Sequence, residues 1–187
     1  NGKATRERHS KMDCRVFCMK IQENRLSKVV LEKLKRCFLE AKWLYNAVIA
    51  TETLVLEDTS SVQVKVNGSF ETREIKNLSS HMRRSVVNGA RQSVFNLSKA
   101  KKRGLKVGKL QFKKEYTTID LSQFNNTYII KGKNKIRVQG IGVLVVNGLE
   151  QINFNEVEFA NAKLIQKPSG FYIHITTYSK KQPQSNV

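Results

Sequence analysis

Apolar residues follow two rhythms along this chain, and the change between them falls in a basic stretch near its middle. From Ser27 the period is helical. Val30, Leu34, Phe38, Ala41, Tyr45 and Val48 recur every three or four residues and define one buried face. Ser27 suits the N-cap, because its hydroxyl accepts from an otherwise unpaired backbone N–H. A helix of about 24 residues would span about 36 Å. Trp43 and Tyr45 are candidates for stacking on bases, although core packing is the simpler use of both. A second helix starts near Leu78–Ser80, with Met82, Val86, Ala90, Val94 and Leu97 on its apolar face. Outside this pair of helices the period drops to two. Residues 14–22, CRVFCMKIQ, predict a strand. Its partners must come from beyond residue 108, so it pairs across a long helical insertion. Tyr128–Ile130, Lys135–Val138 and Gly142–Val146 predict short strands, and Asn147-Gly148 a turn. Glu156–Gln166 and Phe171–Tyr178 flank Lys167-Pro168-Ser169-Gly170, a hairpin connection. The expected fold class is α+β. Many short strands with regular turns predict a small β-barrel, interrupted after its first strand by the helices.

Three segments carry weaker patterns. Residues 1–13 are polar and charged and read as a flexible arm, in which Arg6, Arg8 and Lys11 either touch phosphate or belong to a frayed end. Residues 57–73 lose the helical period. Val62, Val64 and Val66 alternate there ahead of the turn signal Asn67-Gly68, so the segment is a short hairpin or a mobile loop. The tail, SKKQPQSNV, reads as a linker or frayed end.

Charge sharpens the picture. The net charge is +19 over 187 residues, with 40% apolar residues, which suits a globular core. Such a bias in a folded chain points to a polyanion, most often nucleic acid. No long apolar run, signal peptide or lipidation motif supports a membrane partner. The basic stretch itself, KAKKRGLKVGKLQFKK at 99–114, holds eight lysines and arginines in sixteen residues and no acid. Gly104 and Gly108 end the helix inside it. Leu105, Val107, Leu110 and Phe112 are threaded through the charges, so part of it is expected to pack. No acid occurs from residue 75 to 114. A helix of one sign repels itself, and a bound phosphate backbone would remove that cost.

Chemistry is sparse. Cys14, Cys18 and Cys37 are odd in number and not spaced as a zinc ribbon or disulfide framework, which favours a reducing compartment. His9, His81 and His174 lie far apart, and Asp13, Asp58 and Asp120 have no evident partners. No phosphate loop, GxSxG, HExxH or convergent carboxylate set is present. No residue is nominated as catalytic or as a metal ligand.

The order of parts supplies the rest. A short first strand leads to a helix with WLYNAVIA. A second helix ends in KKRGLKVGKLQFKK. Then come SQFNNTYIIKGKNKIRVQGIGVLVVNGLEQI and a closing hairpin with SGFYIHITTY. From about Cys14 to Ser179 this resembles the N-terminal half of TnpB (OrfB) transposon-encoded RNA-guided nucleases and the related compact type V CRISPR effectors. The family's "VG" followed by "F-basic-basic" is matched by Val107-Gly108 and Phe112-Lys113-Lys114, one residue longer and without the proline often found after the glycine. The resemblance implies an oligonucleotide-binding-like barrel, the wedge, with a helical recognition insert. The divisions would be an arm and first wedge strand at 1–24, the insert at 25–106, the barrel at 107–179 and a linker at 180–187 towards a RuvC nuclease domain that lies outside this chain.

Function follows as expectation. The module would bind guide RNA and target double-stranded DNA and support their heteroduplex, with base pairing supplying most of the sequence specificity. Ser79, Ser80, Arg83, Asn125 and Asn126 match the places where family members read a short DNA motif, and Asn and Arg suit base edges. Arg84, Arg91, Lys99, Lys101, Lys102, Arg103, Lys106, Lys109, Lys113 and Lys114 are assigned to nucleic-acid backbone, where charge matters more than identity. No cofactor is expected in this chain, a divalent metal only with a following RuvC domain. A dimer or an accessory protein is a further possible partner. The location implied is the cytoplasm of a prokaryote, at the nucleoid. Alternatives are a protein-only duplex-DNA-binding transposase or regulator domain, a structural RNA-binding protein, and an enzyme that processes its own guide.

Overall fold

The computed structural model describes residues 2–183. In chain order the elements are α1 (Gly2–Ser10), β1 (Met12–Lys20), α2 (Lys28–Ala50), β2 (Ser61–Val66), β3 (Ser69–Glu74), α3 (Ser80–Lys102), β4 (Thr118–Leu121), β5 (Tyr128–Ile130), β6 (Lys135–Val138), β7 (Gly142–Val145), β8 (Val157–Lys167) and β9 (Gly170–Lys180). The described residues are mixed α+β, with three antiparallel sheets.

The largest sheet has the order β1-β9-β8-β4. β1 pairs with β9 along its whole length, from Met12 opposite Lys180 to Lys20 opposite Tyr172, so the first strand does find its partner across the helices. β5, β6 and β7 form a second sheet, and β2 and β3 form a separate hairpin. The end of β1 leaves one sheet for the other. Ile21 N–H donates to Phe171 O (2.9 Å) in the large sheet, while Gln22 N–H donates to Val145 O (2.8 Å) in the small one.

Strand pairing does not run all the way round into a closed barrel. Between β4 and β5 the backbone satisfies itself in a turn instead. Asn126 and Thr127 N–H both donate to Gln123 O, and Asn125 sits in the left-handed region at φ +67°. β4 was not foreseen, because Thr118-Ile119-Asp120-Leu121 is a short strand carrying an acid. Ile119 and Leu121 are nevertheless fully buried.

The N-terminal arm is also different from expectation, being helical and tethered. α1 buries no residue, so hydrophobic packing does not hold it. Glu158 on β8 does: Arg8 forms a forked ion pair with it, and His9 Nε2 lies 3.0 Å from its Oε1. His9 also stacks on Tyr178 at 3.8 Å. The contacts to Glu158 span about 150 positions of sequence and the stack on Tyr178 about 170. The tail beyond Gln182 lies largely outside the described residues, and β9 itself extends to Lys180.

One contiguous core joins sheets and helices. Met19, Ile21, Leu34, Leu44, Met82, Tyr128, Leu144 and Ile173 are all nearly inaccessible. Each such side chain contributes about 1.5–3 kcal/mol by leaving water. α2 starts as expected, with Ser27 Oγ accepting from Val30 N–H at 3.2 Å. β2 and β3 form the hairpin that Asn67-Gly68 signals.

Candidate nucleic-acid interface

The approach to α3 is locked from two sides. Glu40 on α2 is fully buried, and its carboxylate accepts the backbone N–H groups of Lys76 and Asn77. Cys37, one turn earlier, donates its thiol to Asn77 O at 3.3 Å. Burial, and then the nearby Glu40 charge, push that thiol's pKa far up, so Cys37 is an inert donor rather than a nucleophile. On the other side Gly140, at φ +83°, backs onto Asn77. A Cβ there would lie 2.7 Å from Asn77 O, so the contact requires glycine. The first turn of α3 is thus fixed in position before its side chains are considered.

That turn meets the β4–β5 loop. Ser79 caps α3, its Oγ accepting from Met82 N–H at 3.3 Å. Ser80 is exposed beside it. Asn126 Nδ2 lies 3.1 Å from His81 Nε2 and donates to Gln123 Oε1 at 2.9 Å. The loop is seated on aromatic rings: Phe124 packs against Tyr128 (5.2 Å) and Phe159 (4.7 Å), and Tyr128 donates its hydroxyl to Ala160 O at 2.6 Å. Two segments separated by 45 residues therefore come together, and both carry residues nominated from the sequence. Between them runs a polar groove of about 420 Å³, with His81, Arg84, Asn88, Gln92, Asp120 and Gln123 on its walls. Amides, an imidazole and a guanidinium in one groove are suited to edge-on hydrogen bonding with bases.

Arg83 is not brought to that groove. It lies towards Asp58, whose pKa is lowered chiefly by the hydrogen bonds of Ser60 and, to a smaller extent, by the Arg83 charge. Its Nε is buried and has no hydrogen-bond partner among the described residues. Arg91, two turns on, donates Nε–H to Leu54 O at 2.8 Å and so braces the loop after α2. Arg84 is exposed on the groove side.

The remaining cations form an open surface. Lys99, Lys101 and Lys102 end α3, Arg103 is its C-cap, and Lys106 and Lys109 follow in an extended strap; all are exposed. Among the described residues, no lysine or arginine from Arg83 to Lys114 forms an ion pair with an acid. The strap is nevertheless fixed at its far end. Lys113 exchanges two backbone hydrogen bonds with the Asn46 amide, N–H to Oδ1 at 2.8 Å and Nδ2–H to O at 3.0 Å. Its ammonium lies over Tyr45 (4.9 Å) and Tyr116 (5.2 Å). Lys113 therefore differs from its neighbours in already having a partner for its charge.

The expectation that apolar residues in the basic stretch would pack is met only in part. Val107 and Leu110 are half-buried, but Leu105 and Phe112 remain exposed, with Phe112 at 64%. Leu105 follows the end of α3, which buries nothing fully after Ala90, and Phe112 lines an open groove instead of a core.

No group of three or more His, Cys, Asp or Glu side chains among the described residues is placed to hold a metal ion. No helix among them is long and apolar enough to cross a membrane. No protein-family model matches this chain, and a comparison with curated proteins finds no match. His81 and Gln123 were missed by sequence reasoning. Their only signal was position: a histidine in the first turn of α3, and a glutamine three residues before Asn126.

Proposed function

We propose that this chain is the nucleic-acid-binding module of an RNA-guided DNA-binding protein, similar in plan to the wedge and recognition part of TnpB-like and compact type V effectors. One observation carries the reading most: the acid-free run from α3 into the strap, whose cations form no ion pair with an acid among the described residues. Folded chains seldom leave so many like charges unpaired, and a phosphate backbone neutralises them with release of counterions.

In this reading the two β-sheets joined through Ile21 and Gln22 act as the wedge, and α2 and α3 as the recognition insert. The guide RNA and its heteroduplex with target DNA lie along Lys99, Lys101, Lys102, Arg103, Lys106 and Lys109. The groove between His81 and the Asn125-Asn126 loop faces the edges of a short duplex motif. Ser80, Arg84 and Asn126 supply its hydrogen bonds, while Ser79 and Asn125 shape the backbone around it. The module performs no chemistry of its own.

Recovering the protein from cells that carry its native locus, and sequencing the co-purifying RNA, tests this directly. One dominant structured RNA with a variable end is the expected result. Bulk ribosomal RNA would favour a structural RNA-binding protein. Absence of RNA, with tight binding to a defined duplex, would favour a protein-only regulator.

A further inference from the structure

A second groove, of about 480 Å³, lies between α2, the β2–β3 hairpin and residues 112–114. Three aromatic rings line it, one from each element: Trp43, Phe70 and Phe112. Phe70 and Phe112 are 69% and 64% exposed. Neither is needed by its own segment. Phe70 stands beside the Asn67-Gly68 turn opposite an exposed lysine, and Phe112 sits in an extended strap. The charged residues on the walls are Lys42, Lys65, Lys113 and Lys114, with no acid among the lining residues. The Lys113 ammonium is engaged over Tyr45 and Tyr116, which leaves Lys42, Lys65 and Lys114 for a ligand. The Asn46–Lys113 backbone clamp fixes the strap immediately after Phe112, so that ring is presented from an anchored backbone.

We infer that this groove takes an unpaired nucleotide of a single-stranded nucleic acid. The base stacks on Phe70 and Phe112, and its flanking phosphates lie against Lys42, Lys65 and Lys114. Ring faces attract every base alike, and lysines attract phosphate without regard to sequence, so the site reads strandedness and not sequence. A paired base within a duplex keeps its faces in the stack and cannot use the platform. The inference rests on the nucleic-acid reading above and adds to it a place for a strand outside any duplex or heteroduplex.

The test compares labelled twelve-nucleotide oligothymidylate and oligouridylate with a blunt duplex, by fluorescence anisotropy at fixed salt. The proteins are the full chain, Phe70→Ala, Phe112→Ala, the double variant, and Phe70→Tyr/Phe112→Tyr. Both rings are exposed, and thermal melts confirm that the fold is kept. Each alanine is expected to weaken single-strand binding roughly five- to tenfold, in line with the loss of one stacking platform. Duplex affinity stays unchanged, and the tyrosine variant binds as the parent does. Single-strand binding unaltered in the double variant, yet lost on charge reversal at Lys99, Lys101 and Lys102, would overturn the groove and leave the nucleic-acid reading intact. No binding of any of the three probes by the parent chain would overturn both. Binding of an acidic, aromatic-rich peptide in the groove, with single strands ignored, would overturn it in favour of a protein partner.

Discussion

α2 and α3 are the same length, 23 residues, and each begins with a serine cap, yet they are held in place differently. α2 buries side chains from Leu34 to Val48, nearly to its end. α3 buries Met82, Val86, Val87 and Ala90, and then nothing fully for its last three turns. The difference is one of partners. α2 meets α3, β2, β4 and β7, whereas α3 meets α2 and β4 and its distal turns run on into solvent. Most helical stability in proteins comes from packing and not from propensity, so the distal half of α3 is the weaker part. It is also where the charge is concentrated. The like-charge cost falls on the segment least able to bear it alone, as expected if a polyanion completes that segment.

The comparison can be broken or sharpened by substitution. The largest effect should come from the anchor shared by both helices. Glu40→Ala leaves the N–H groups of Lys76 and Asn77 buried without acceptors, and should lower unfolding stability by about 3 kcal/mol in urea titration. A loss below about 1 kcal/mol would mean that the approach to α3 is held by its backbone alone. Next is charge reversal of Lys101, Lys102 and Arg103. It should weaken RNA binding by about tenfold or more and reduce the slope of log K against log salt by about two. An unchanged slope would place these cations away from the ligand. Equivalent truncations on the two halves of α3 come third. Val86→Ala should cost about 1–2 kcal/mol and Val94→Ala less than about half of that, both by thermal or urea unfolding. Equal costs would contradict the contrast.

The smallest effect belongs to α1, the helix held by charge. The Arg8 hydrogen bond first, then the His9 hydrogen bond and the charge of Arg8, lower the Glu158 pKa to about 2 from the ordinary carboxylate range. A depressed folded-state pKa stabilises above the unfolded value and is lost as pH falls through the folded one. α1 should therefore stay docked at neutral pH and detach between about pH 4 and 2, with a weak salt dependence because the pair is exposed. Amide exchange in residues 2–10 against pH would report this. Protection unchanged at pH 2 would assign the docking to the His9–Tyr178 stack.

What could be read from the sequence, and what could not, divides along the same physical line. Ser27, the periodic face of α2 and the Asn67-Gly68 turn are local, and local rules find them, while the pattern around that turn fits a hairpin or a loop alike. That β1 pairs downstream was legible for another reason, since an apolar strand followed by two helices had to find a partner beyond them, but that the partner is β9 was not. α1 was not legible, because the supports of its last turn, Glu158 and Tyr178, lie about 150 and 170 residues away in sequence. The His81–Asn126 contact and the Asn46–Lys113 clamp were hidden for the same reason: no pattern within a window of a dozen residues encodes a pairing across 45 or 67. Exposed Phe112 was misjudged because alternation with lysine looks the same whether the ring meets a core or a groove.

Pairing of the first strand with the last also has a consequence in time. During synthesis Met19 emerges long before its partner Ile173, an interval of roughly 8 to 30 seconds at ordinary elongation rates. Throughout that interval Val16, Phe17, Met19 and Ile21 form an unpaired strand on a nascent chain, the kind of segment that self-associates. Asp13, Arg15 and Lys20 punctuate it with charge, as gatekeeper residues do. The newborn chain thus exposes its basic helix, α3, before the strand that completes its largest sheet has been made, next to the ribosome's own RNA.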